Sequence, residues 1–87
     1  MVSTKELKEM DTLEVITFLE QHVGTPSTRT GVFKDNDIDG KVLLSMTEKE
    51  LIKCGLLFGH ARSIVLYLRE LEKKEIEQEL LLIIGKM

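Results

Sequence analysis

The sequence predicts an all-α fold, a compact five-helix bundle with a long C-terminal helix. Three observations predict it. Apolar residues recur three and four positions apart instead of alternating. Two pairs, Asp11 with Glu14 and Thr47 with Glu50, have the spacing of a helix-opening capping box. The chain holds one proline, Pro26, and it falls between apolar runs, where it breaks no helix. The 87 residues make one domain. A chain of that length buries roughly 60% of the surface it exposes unfolded. Its 43% apolar and 31% charged residues are a soluble, folded balance.

The elements follow in order. Asp11 caps a helix running to about Val23, with Leu13, Val15, Ile16, Phe18, Leu19 and Val23 on a broad apolar face and Gly24 as its stop. Residues 25–28 form a loop. A short second helix carries Val32 and Phe33 and ends in the turn-formers Asp35, Asn36 and Asp37. Asp39 and Gly40 open a third helix bearing Val42, Leu43, Leu44 and Met46. Thr47 caps a fourth, which carries Leu51, Ile52 and Cys54 and stops at Gly55. Leu56, Leu57 and Phe58 make an apolar turn. The fifth helix starts at Gly59 or His60, with Ile64, Leu68 and Leu71 on one face, and meets no stop before Gly85. The expected core is Leu19, Phe33, Ile38, Leu43, Leu44, Leu51, Ile64 and Leu68.

The last helix is unusual at its end. Ile76, Leu80, Leu81, Leu82, Ile83 and Ile84 surround it instead of striping one side. From His60 to Ile84 it would extend ~37 Å, overhanging a bundle of this size. Such an apolar end needs cover, from Val2, Leu7 and Met10, from a second copy, or from a further domain. Residues 1–10 thus read as an N-terminal extension, 11–74 as the domain, and 75–87 as an apolar helical extension.

The middle of the chain carries a pattern. It runs Phe33-Lys34-Asp35-Asn36-Asp37-Ile38-Asp39-Gly40, Leu43-Leu44, Met46-Thr47-Glu48-Lys49-Glu50-Leu51, Gly55-Leu56, Gly59-His60 and Ile64. From about Asp11 to Leu71 the chain resembles the SAM (sterile alpha motif) domain. It departs from that pattern in three places. An early tryptophan is absent, with Met10 near its place; Arg29 stands where an aromatic is usual; and Ala61 stands where an arginine follows Gly-His, with Arg62 beside it. The resemblance implies a five-helix SAM-like bundle that binds other SAM domains, its own copies or different ones. The usual contact joins a mid-loop surface to an end-helix surface at the start of the fifth helix.

Charge is distributed to suit that contact. Residues 34–50 carry Asp35, Asp37, Asp39, Glu48 and Glu50 and a net −2; residues 51–69 carry Lys53, Arg62 and Arg69, no acid, and a net +3. The expected partner-binding residues are therefore Asp35, Asp37, Asp39, Glu48 and Glu50 on one surface. On the other they are Lys53, Leu57, Phe58, Gly59, His60 and Arg62. Residues 80–84 are expected to give a second contact.

Other chemistries are weaker. Asp35, Asp37, Asp39 and Gly40 match positions one, three, five and six of a calcium loop, but position twelve, which needs a bidentate Glu, is Met46. A calcium-responsive module is the alternative reading. RNA-hairpin binding needs clustered cations, and residues 60–63 hold one firm positive charge, Arg62. His22, His60 and Cys54 share no metal-ligand spacing. Ser27, Ser45 and Ser63 have no catalytic partners at motif spacing. The reading is a non-enzymatic module with no cofactor, metal or small-molecule substrate. The formal charge of −3 speaks against nucleic acid and anionic membranes. The first ten residues hold no apolar run, and residues 80–84 are too few to span a bilayer. One cysteine, unable to form an internal disulfide, fits an intracellular location, cytoplasmic in the first place with nuclear as the alternative.

Overall fold

Each early helix begins where a side chain satisfies its free amides. In the computed structural model, which describes residues 2–85, Ser3 caps α1 (Thr4–Lys8) by accepting from the Glu6 amide at 3.1 Å. Asp11 caps α2 (Thr12–Phe18) in a complete capping box: its carboxylate accepts from the Glu14 amide at 2.9 Å and Glu14 accepts from the Asp11 amide at 3.3 Å. The helix then widens into a π-helical turn, Leu19–Val23, and ends at Gly24 with φ of 86°. A positive φ there suits glycine, which has no Cβ to clash.

α3 (Gly31–Asp35) is short and buries Phe33. Asp39 caps α4 (Gly40–Ser45) through the Val42 amide at 2.9 Å. Thr47 and Glu50 form the second complete capping box, opening α5 (Glu48–Lys53). α6 (Phe58–Gly85) is 28 residues long, ~42 Å at 1.5 Å per residue. It starts at Phe58, one residue before the earlier of the two starts expected. The described residues hold six α-helices and no strand. The five predicted helices are α2 to α6, and α1 is an addition to them.

The core gathers residues from every α-helix. Leu7, Val15, Phe18, Leu19, Phe33, Ile38, Leu43, Leu51, Leu56, Ala61, Ile64 and Leu68 form one buried cluster. Phe18 meets Tyr67 edge-on at 5.7 Å, tying α2 to α6. Two expectations need correction. Leu44 is only half-buried against the core, because it lies at the edge of α4 beside an open notch. Leu13 is 65% exposed, because the broad apolar face of α2 is wider than the surface available to cover it.

The two flanking extensions behave differently. α1 packs on α4, and Leu7 is fully buried. Gly40 makes this possible: a Cβ there would lie 1.6 Å from the Leu7 carbonyl oxygen, and its amide donates to the Met10 carbonyl at 3.0 Å. At the other end, Ile76 and residues 80–84 are 53–67% exposed. Val2, Leu7 and Met10 do not cover them, because all three pack into or against the core. The overhanging helix stretches the molecule to 49 × 23 × 20 Å. Met1, Lys86 and Met87, the outermost residues of the two extensions, lie outside the described residues.

Candidate functional site

The first turns of α6 and the residue before them carry exposed apolar and cationic side chains. Gly55, with φ of 118°, turns the chain out of α5. Leu56 then points into the core, which leaves Leu57 49% and Phe58 60% exposed. Lys53 ends α5 beside them, and Gly59 is exposed. The Arg62 guanidinium lies over the Phe58 ring, 5.2 Å from its centroid, where the ring face attracts a cation. His60 is half-buried. Ala61 is fully buried, so the exposed cation of this turn sits one residue later, at Arg62.

The acidic residues divide by role. Asp35 closes α3 and Asp37 follows in the left-handed region at φ 52°, a conformation aspartate tolerates. Both are exposed. Asp39 and Glu50 are engaged as caps of α4 and α5. Glu48 forms an ion pair with Arg62 of the same chain. The acidic and basic surfaces expected to face each other between copies therefore meet within one molecule at this pair. Phe58, Gly59 and Arg62 lie in the first turns of α6, Leu57 directly before it and Lys53 at the end of α5, whereas Asp35 ends α3 and Asp37 follows it.

The aspartate loop does not converge on a point. Among the described residues no three His, Cys, Asp or Glu side chains approach closely enough to hold a metal ion. Cys54 is half-buried instead of fully enclosed, because it caps the end of α5 at the core's edge.

Sequence reasoning missed a polar contact between the two ends of the chain. Glu75 on α6 receives two hydrogen bonds from Thr4, the amide to Oε1 at 2.7 Å and the hydroxyl to Oε2 at 2.6 Å. Those two donors hold the Glu75 carboxyl below its ordinary pKa. The contact spans 71 residues, so no local spacing announces it. One local signal for α1 itself was present: Ser3 with Glu6 is a cap pair.

Two further features bear on function. Beside α1, the overhanging part of α6 borders a notch of 460 Å³ lined by Thr4, Lys8, Leu44 and Ile76 and by three carboxylates, Glu72, Glu75 and Glu79. No helix among the described residues is long and apolar enough to cross a membrane. In comparisons with known proteins, a family model described as a SAM-like domain matches residues 1–70. Neither the curated proteins nor the solved structures gave a match.

Proposed function

The chain belongs to the SAM-like domain family, a common class of protein-interaction module, and we propose that it works by binding another SAM domain, its own copy or a different one. The observation that carries this is the exposed pair Leu57 and Phe58 at the head of α6, flanked by Lys53 and Arg62. Exposed apolar side chains ringed by cations form a surface whose core is apolar and whose rim is charged, the usual anatomy of an interface. The head of a long helix adds partial positive charge from its free amides. The complementary surface is the acidic one of Asp35 and Asp37, to which Asp39, Glu48 and Glu50 add their charge. The two surfaces differ, so the contact is heterologous and propagates head to tail unless a ring closes.

Each exposed ion pair contributes only ~0.2–1 kcal/mol, so Leu57 and Phe58 supply most of the affinity. The Glu48–Arg62 pair exchanges partners at a cost of the same order. Association of this kind lies in the micromolar range or weaker, and salt reduces it. The module serves a scaffold or signalling protein inside the cell, as its lone thiol suits, and residues 80–84 give it a second contact.

The test mixes two blocked variants. Asp37→Arg reverses the acidic surface, and Phe58→Asp removes the aromatic while placing a residue favourable at a helix start. Each blocked variant should lose head-to-tail association, and their mixture should form a one-to-one complex through the two intact surfaces. If wild type associates head to tail but the mixture does not, the surfaces are wrongly assigned. If wild type shows no such association, the head-to-tail partner is a different SAM domain.

A further inference from the structure

The end of α6 is apolar on every side. Residues 80 to 84 advance 100° each, so together they go all the way round the helix. A helix with no polar face at its tip needs walls on more than one side. The described residues give none: all five tip residues and Ile76 are more than half exposed. The residues leading to the tip include Glu70, Glu72, Glu75, Glu77 and Glu79 against Lys73 and Lys74. That acidic collar repels an anionic lipid surface.

We propose that α6 is the interface of an antiparallel homodimer, in which the tip of each helix lies in the partner's notch beside Leu44. The inference takes up the tail contact proposed above and is independent of the head-to-tail contact. Ile76, Leu80 and Ile83 fall within ~60° of one face, a spacing of four and three that makes a two-helix seam. Continued towards the bundle, the seam reaches Lys73 and then Arg69. A parallel pair would set each of these cations against its own copy. An antiparallel pair sets Ile76 against Leu80, and brings the alkyl stem of Lys73 over Ile83. It also sends each tip back along the partner's α6, towards the notch where Ile76 and Leu44 are already walls.

Area favours the same arrangement. Full burial of a Leu or Ile side chain removes roughly 60–120 Å² of apolar surface. At the exposures seen here, Ile76 and residues 80–84 of both copies together contribute roughly 400–900 Å². A stable interface needs about 1,000 Å². Those residues alone fall short, and the notch supplies the difference through Leu44 and the stem of Lys8. The tip then has α6 of the partner on one side and α1 with α4 on the other. Lys8 stands where the carbonyl end of the incoming helix arrives, a favourable place for a cation, while Glu72, Glu75 and Glu79 in the same lining oppose that end and add to the repulsion that salt screens. Glu77 and Glu79 flank the seam near its centre and repel their counterparts, so this dimer tightens as salt rises, opposite to the ionic head-to-tail contact.

Sedimentation velocity on the full chain carrying Phe58→Asp, which removes the head-to-tail contact, tests the proposal at low and high salt. The expected result is a concentration-dependent dimer with a lower Kd at high salt. Leu80→Glu with Ile83→Glu should make it monomeric at every concentration tested while leaving the helical circular dichroism of the bundle unchanged. Orientation is read by crosslinking in a Cys54→Ser background. Lys73→Cys and Ile83→Cys should each crosslink poorly alone and efficiently when mixed. A monomer at all concentrations overturns the proposal, as does a dimer indifferent to Leu80→Glu with Ile83→Glu. Efficient crosslinking of Lys73→Cys to itself overturns the antiparallel sense. Monomers that float with phosphatidylcholine vesicles assign the tip to lipid instead.

Discussion

The two ends of this chain differ in what their apolar residues meet. α1 is five residues long and contributes one fully buried side chain, Leu7. The end of α6 brings five consecutive apolar residues and buries none of them. Hydropathy would rank them the other way. What separates them is a socket: Gly40 lacks the Cβ that would strike the Leu7 carbonyl, so α1 lies directly on α4. No described part of the chain offers the tip of α6 a comparable surface. One flank completes the core, and the other is surface that a partner covers.

The largest effects lie in the core. Phe33→Ala should cost about 3–5 kcal/mol and Leu7→Ala about 2–5 kcal/mol, read from urea unfolding. A Leu7→Ala protein as stable as its parent would return α1 to the status of an appendage. Gly40→Ala tests the same socket from the other side. Its methyl group meets backbone, which cannot rotate away, so a loss at or above the usual 1–3 kcal/mol of overpacking is expected in the same assay.

A smaller effect belongs to Glu75. Thr4 holds its carboxyl below the ordinary pKa. The contact therefore adds stability above the unfolded-state pKa and loses it as pH falls through the lowered folded value. Glu75→Gln keeps the shape but not the charge. It should lower Tm at neutral pH, with the gap to wild type narrowing as the solution is acidified; a gap that stays constant to acid pH would show the charge is irrelevant. The smallest effect is at the tip. Leu82→Ala should change monomer stability by less than about 0.5 kcal/mol, as for other exposed positions. A larger loss in a dilute urea titration would mean that the tip is buried within its own chain.

Much of the fold was legible in local spacing. Both capping boxes, the stops at Gly24 and Gly55 and the inward positions Phe33, Ile38, Leu51 and Ile64 are as the sequence predicts. These features depend on residues three or four apart, within reach of one helical turn. Leu44 and Leu13 were misjudged because periodicity says which residues share a face, not how much of that face is covered. The place of α1 was hidden because a five-residue helix is too short to show a period, and its burial depends on Gly40, thirty-three positions beyond Leu7. The Glu48–Arg62 pair was hidden for a similar reason. Dividing the charges by segment placed the two residues on separate surfaces, whereas the packing of α5 on α6 sets them side by side.

Amide hydrogen exchange at several protein concentrations tests the contrast between the two ends most directly, because it reads both in one sample. Amides of α1 from Leu7 onward should exchange at the slow rate of the core, independent of concentration. Amides of residues 80–84 should exchange quickly in dilute protein and slow progressively as concentration rises and the tip is covered. Fast exchange at Leu7, or protection of residues 80–84 that is the same at every concentration, would contradict the account.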